Sequence, residues 1–305
     1  MFHVKQRRKV LLSLTICLIK RQKMNFSEDH RFITVKDFSV SGESFSLLLN
    51  EEYQLLKTHP QPTLDRLGMY YEFDDYISHT DGKRTLFEKM YHFIKRRAIK
   101  NKLRLIEQHQ PVKGKILDIG AGTGDFLLEA KNKNWETVGV EPNEKAKSIA
   151  IKKGVLFADT IEKLESNSFD VITLWHVLEH VPDVVHQVAE LKRLLKPSGT
   201  LIIAVPNFKS FDAKYYKTFW AAYDVPRHLW HFSKTAIEKL FDKQNMNLVA
   251  VKPMWFDSYY VSLLSEKNKT GKMKFINGLT IGFVSNLVGI FKNEYSSHIY
   301  ILKNK

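Results

Sequence analysis

The sequence predicts an α/β protein whose mostly parallel sheet carries helices on both faces. Three observations support this. Strands and helices alternate from Lys115 onward, Phe169–Trp175 is an almost unbroken apolar run, and a glycine-rich turn joins the first strand to the first helix. A chain of 305 residues, 44% hydrophobic and 26% charged, suits one large domain with additions. The single cysteine, Cys17, excludes an intramolecular disulfide and a zinc site built on several thiolates. It also suits a reducing, cytoplasmic setting.

The elements follow in order. Residues 1–23 form a basic leader that carries Lys5, Arg7, Arg8, Lys9, Lys20, Arg21 and Lys23 with no acid, half of the net charge of +14. Its apolar stretch Val10–Ile19 is shorter than the roughly 20 residues a bilayer span needs, and no small-residue cleavage pattern follows. Met24 stands close behind, so the leader is set apart from the fold. Residues 24–82 read as a small irregular N-terminal region, with short runs Phe32–Val35 and Phe45–Leu49 before a Pro60-Gln61-Pro62 turn. Residues 83–112 hold a basic amphipathic helix, Thr85–His109, with Leu86, Met90, Phe93, Ile94, Ala98, Leu105 and Ile106 on one face. Its cations, Lys95-Arg96-Arg97 among them, read either as a surface for an anionic partner or as a solvated face; the solvated face is the expected reading.

The region 113–305 carries the regular alternation. Strands are expected at Lys115–Ile119, Thr137–Glu141, Val155–Ala158, Phe169–Trp175, Thr200–Val205, Leu248–Pro253 and His298–Leu302. Helices fall between them at Asp125–Asn134, from Asn143 to Gly154, at Asp183–Lys196 and at Lys234–Gln244, with Asn143 and Gly154 as natural cap residues. Two insertions interrupt the rhythm. Residues 207–232 are dense in aromatics and read either as the wall of a pocket for a planar acceptor or as a hydrophobic cap. Residues 256–293 contain the apolar stretch Phe275–Phe291, broken by Gly278, Gly282, Asn286 and Gly289, which predicts a packed or interfacial helix with peripheral membrane contact rather than a span.

The chemistry centres on Asp118-x-Gly120-x-Gly122-x-Gly124. Glycines permit close backbone approach of a ligand, and the helix beyond offers unpaired N–H groups to an anion. Glu141, at the end of the next strand, stands where an acid bonds ribose hydroxyls. A dinucleotide fingerprint would need glycine at position 125, which is Asp125. Asp118 would repel a pyrophosphate but can pair with an ammonium or lie near a sulfonium. The spacing therefore favours S-adenosylmethionine (SAM) over a nicotinamide cofactor.

Residues 113–205 resemble a class I SAM-dependent methyltransferase. Ile116–Phe126 is similar to that family's first motif, Val138-Gly139-Val140-Glu141-Pro142 to its ribose-binding motif, and Phe169-Asp170-Val171-Ile172 and Leu195–Leu201 to two later strand motifs. Leu178-Glu179-His180-Val181-Pro182-Asp183 resembles the branch containing ubiquinone-biosynthesis O-methyltransferases, and Pro226–Phe232 a stretch of related bacterial small-molecule enzymes. The resemblance implies a Rossmann-like sheet of seven strands, the last antiparallel. It also implies that Asp118, Gly120, Ala121, Gly122 and Gly124 surround the methionine portion, with Glu141 and Pro142 at the ribose and Asp159 at adenine. Asp159 is alternatively a helix cap. Trp175 and His176 would face the sulfur or the acceptor, with Trp175 as plain core the alternative. Where relatives carry a zinc knuckle, this chain has Asn50-Glu51-Glu52-Tyr53, so any knuckle-like fold in 24–82 is expected to be metal-free. Residues 70–82, from Tyr70-Tyr71 to His79, resemble a segment that approaches the cofactor, or else pack on the sheet edge.

A phenol or alcohol acceptor must lose a proton, and neutral histidine is a natural base. His228 is the first candidate, ahead of His176 and His180, with His231 beside them. His176, Glu179 and His180 at i, i+3, i+4 could converge on a divalent ion if the turn is helical, but no metal is expected. The expected activity is methyl transfer to a small-molecule acceptor, through an oxygen nucleophile. Its rivals are a nucleic-acid or protein methyltransferase, which the basic helix suggests, and a silent binding protein, which the intact loop and Glu141 disfavour.

Overall fold

The computed structural model describes residues 24–71 and 86–305. The leader 1–23 with Cys17, and the part of the cofactor-approaching segment beyond Tyr71, lie outside the described residues. The N-terminal region is more regular than expected. Strands β1 (Arg31–Lys36), β2 (Ser44–Asn50) and β3 (Leu55–His59) form an antiparallel meander. Helix α1 (Leu86–His109) then leads into the main sheet, with Leu103 and Ile106 fully buried against it.

The main domain runs β4 (Lys115–Ile119), α2 (Asp125–Asn132), β5 (Glu136–Val140), α3 (Glu144–Lys152), β6 (Phe169–Trp175), α4 (Val184–Leu194) and β7 (Leu195–Pro206). Asn143 caps α3 as the sequence suggests, and Asp183 caps α4. Asn143 Oδ1 accepts from Lys145 N and Ala146 N, and Asp183 Oδ1 accepts from His186 N. After the short α5 (Phe211–Tyr216) and β8 (Trp230–His231) come α6 (Lys234–Asp242), β9 (Met246–Pro253), α7 (Asp257–Thr270), α8 (Phe275–Lys292) and β10 (Ser297–Asn304).

Six strands pair in the order β5-β4-β6-β7-β10-β9, with β4, β5, β6 and β7 parallel and β10 antiparallel to both its neighbours. The antiparallel last strand is as expected; among the described residues the seventh strand is not formed. Val155–Ala158 contributes only an isolated parallel bridge, Gly139 to Phe157, through Gly139 N to Leu156 O and Ala158 N to Gly139 O. Gly154 in the left-handed region ends α3 so close to the sheet edge that the chain touches it and leaves again.

The aromatic insertion follows the second of its two readings, a hydrophobic cap. β8 extends the N-terminal meander to a four-stranded sheet, β1-β2-β3-β8. Phe208, Tyr216, Trp220 and Tyr223 are buried against its Val35, Phe45, Leu47 and Leu56. A half-apolar antiparallel sheet needs one face covered, and the insertion covers it. These rings form a second core rather than the wall of an open pocket. At its centre the fully buried Asp212 accepts from Trp220 Nε1 (2.7 Å), Ser285 Oγ (2.6 Å) and Ser296 Oγ (2.7 Å), tying α5, α8 and the entry to β10 together.

Candidate active site

The parallel strands end together, and the loops that leave them build the site. After β4 the chain turns through Gly120, Gly122 and Gly124, all at positive φ. A Cβ on Gly120 would lie 2.4 Å from Val177 Cγ2, whereas one on Gly122 would meet nothing within 4 Å. Gly120 is thus required by protein packing, while Gly122 leaves open space in front of the backbone. Gly120 N and Ala121 N both donate to Val140 O, which fixes the loop to the end of β5.

Glu141 closes this arrangement. Its Oε2 accepts from Gly122 N (2.7 Å) and its Oε1 from Asn143 N (2.8 Å). The carboxylate therefore spans from the glycine loop to the start of α3, and Pro142 follows it at the surface. Asp118 lies one layer deeper, 3% exposed, with Thr173 Oγ1 donating to its Oδ1 at 2.6 Å. Burial pushes its carboxyl up to about 7, against the pull of Thr173 and Lys102.

Lys102 belongs to α1, whose cations gave no hint of a place in the site. Its ammonium lies 4.2 Å from the centre of the Trp175 ring. Burial lowers its pKa, partly offset by Asp118 and Asp257. Trp175 also packs edge-on against Phe126, and its buried Nε1 has no partner among the described residues. Elsewhere on α1, Lys95 pairs with Asp125 at 2.6 Å. Two of this helix's cations thus have partners within the protein.

His176 has φ of +58° and stands outside the single 3-10 turn Leu178–His180. The i, i+3, i+4 cluster assumed a helix through all three residues, and that helix is absent. His176 instead lies between two carboxylates, its Nδ1 3.3 Å from Glu179 Oε1 and its Nε2 3.0 Å from Asp257 Oδ2. Burial would lower its pKa, but Asp257 and Glu179 prevail and raise it to about 10, so it is a fixed cation at neutral pH rather than a base. Asp257, the first residue of α7, carried no signal in the sequence.

The structure brings His228 into the place His176 was expected to take. Glu179, His180 and His228 offer ligand atoms within 4.8 Å of one another. The rings of His180 and His228 are 4.6 Å apart. His228 Nδ1 lies 2.9 Å from Ala222 O and His180 Nδ1 3.0 Å from Arg227 O, so each carbonyl takes the Nδ1–H and leaves a lone pair on Nε2. Burial, with His228 beside it, lowers His180 to about 4. The buried Glu179 is held ionised against its burial chiefly by His176. Two imidazole lone pairs and a carboxylate can accept a hydroxyl proton or ligate a divalent ion.

The remaining candidates have partners of their own. His231 is buried with its Nε2 3.0 Å from Thr58 Oγ1 and serves the second core. Asp159 is exposed and paired with Lys163 at 2.8 Å; the residue before the following 3-10 turn is Thr160, so Asp159 is not its cap. Tyr71, from the predicted cofactor-approaching segment, places its hydroxyl 3.0 Å from His180 Nδ1.

A family model described as a methyltransferase domain matches residues 90–251. The chain belongs to this family. The chain is 33% identical over 118 residues to a ubiquinone biosynthesis O-methyltransferase of Thiobacillus denitrificans, covering 35% of this chain and 50% of that one. It is 31% identical over 120 residues to a demethylmenaquinone methyltransferase of Staphylococcus aureus, covering 34% and 50%. The chain thus spans about half the length of the curated relatives it matches. Among solved structures, magnesium protoporphyrin IX methyltransferase from Synechocystis with bound SAH aligns over 79% of this chain and 94% of its own, at 14% identity and a TM-score of 0.50. That likeness supports the fold.

Proposed function

We propose that the domain binds SAM and transfers its methyl group to an oxygen of a small-molecule acceptor. The supporting observation is the open space before Gly122 with the Glu141 carboxylate bonded across the loop. A nucleoside can lie against that bare backbone, its ribose hydroxyls donating to Glu141 and its ammonium facing Asp118. SAM supplies an activated methyl group on a sulfonium leaving group, so the protein chiefly positions the acceptor, about 3–3.5 Å from the methyl carbon. The acceptor hydroxyl gives its proton to Nε2 of His228, the tautomer being set by Ala222 O. His176 and Glu179 hold opposite charges beside it.

The test is calorimetric titration of the whole chain with SAM, followed by methyl transfer into cell-extract fractions and mass detection of the product. Binding with a methylated small molecule is expected. Binding without product in any fraction would favour a silent binding protein, and a methylated macromolecule would remove the small-molecule reading. The His228→Ala variant should keep SAM affinity and lose roughly 10²–10⁴ in turnover. Chelator should leave activity unchanged, because the Glu179 charge is already met by His176; its loss would assign the Glu179–His180–His228 cluster to a divalent ion.

A further inference from the structure

Helix α8 is built inside out. Its residues Gly278, Gly282, Ser285, Asn286 and Gly289 are buried, while most of its large apolar residues face solvent. The inner face is fully occupied. A Cβ on Gly282 would lie 2.8 Å from the Tyr259 backbone of α7, and one on Gly289 would lie 2.5 Å from the Tyr295 ring. The outer face carries Ile276 (82% exposed), Leu279, Phe283, Leu287, Ile290 and Phe291 (84% exposed). At roughly 100° per residue these six fall within an arc of about 120°, opposite the small residues. Six large apolar side chains gathered in one ridge mark an interaction surface rather than scattered exposure.

Charge decides the occupant. Lys267, Lys269, Lys272 and Lys274 crowd the turn into α8 and Lys292 ends it, with no Asp or Glu between Lys267 and Lys292. Met273 and Phe275 stand exposed among the lysines. A second copy of the chain would bring like charges together, whereas an anionic lipid surface would satisfy both the cations and the ridge. The glycine face is pressed onto α7, so the helix lies along the molecule rather than standing ready to cross a bilayer. The first residue of α7, Asp257, lies 3.0 Å from His176, which puts the start of this helix at the border of the candidate site.

We propose that α8 and the lysine-rich turn before it dock the protein on an anionic bilayer, the apolar ridge entering the headgroup region and the lysines meeting the phosphates. The proposal does not depend on the methyltransferase reading, because docking needs no turnover. The experiment is co-sedimentation of the full chain with phosphatidylcholine vesicles, with and without phosphatidylglycerol. Binding to the anionic vesicles is expected, weakened by salt. Phe283→Ser with Phe291→Ser should lower the partition coefficient about tenfold or more, and Lys272→Gln with Lys274→Gln should remove most of the preference for anionic lipid. Both phenylalanines are exposed, so an unchanged thermal midpoint is the control for folding. Three results would overturn the proposal: no binding to anionic vesicles, binding that survives the phenylalanine substitutions and so belongs to another segment such as the leader, or a dimer abolished by those substitutions without any vesicle binding.

Discussion

Alanine at Gly122 and at Gly120 should separate what the loop does for the ligand from what it does for the fold. Both glycines sit at positive φ, 53° and 72°, so each substitution carries the left-handed backbone cost of about 1–2 kcal/mol. There the two diverge. At Gly120 the new methyl lies 2.4 Å from Val177 Cγ2, and overpacking adds roughly 1–3 kcal/mol. At Gly122 no protein atom stands within 4 Å, so nothing further is lost in stability. Calorimetric unfolding should show Gly122→Ala down by about 2–8 °C and Gly120→Ala down by more, at roughly 2–4 °C per kcal/mol for a domain of this size. SAM titration should show the reverse emphasis. The Gly122 methyl enters the space proposed for the nucleoside and should weaken binding at least about tenfold, which is 1.4 kcal/mol or more. If Gly122→Ala binds SAM as tightly as the unsubstituted chain, the open space is not the ligand's bed.

Three further outcomes are expected. Glu141→Gln leaves one carbonyl oxygen to serve two backbone donors and removes the charge facing the ribose; at about 1.5–3 kcal/mol for a bond to a charged group, SAM affinity should fall roughly 10–100-fold, and a change below twofold by titration would place the ribose elsewhere. Asp212→Ala orphans Trp220 Nε1, Ser285 Oγ and Ser296 Oγ in a buried core, and urea denaturation should show a loss of about 3–5 kcal/mol; under about 1 kcal/mol would mean the network is dispensable. Stability should peak near neutral pH. Burial lowers His231, and lowers His298 to about 4, so both bind protons more readily when unfolded, and their stabilisation is lost as pH falls from about 6.5 toward 4. His176, raised to about 10, contributes below about pH 6.5 and is lost as pH rises through its folded value. Scanning calorimetry across pH checks both limbs, and His298→Gln should flatten the acid one. An acid limb unchanged in that variant would refute the assignment, because His298 Nε2 must stay unprotonated to accept from Tyr295 N.

What was legible in the sequence is what one short stretch of chain decides. The loop from Asp118 to Gly124 and the acid at 141 are determined by backbone needs within a single β-α-β unit, and both the loop and Glu141 stand where the residues put them. The apolar run Phe169–Trp175 likewise forms the strand it predicts, since burial on both faces leaves one solution. The misplaced features each depended on a distant partner. His176 looked like a ligand only under an assumed helix, and it took Asp257 from another element to show it as a cation. His228 meets Glu179 because Leu229 N bonds Glu179 O, a link between loops that no local pattern encodes. Lys102 was read with its basic neighbours as one solvated face, although a single turn of helix carries it over Trp175 while Arg104 stays exposed. The aromatic insertion had the composition of a pocket wall because the needs of a wall and of a core are the same: large rings with few charges. Only the N-terminal meander, short of a fourth strand and of a cover, distinguishes the two. Composition says that rings will be buried; topology says against what.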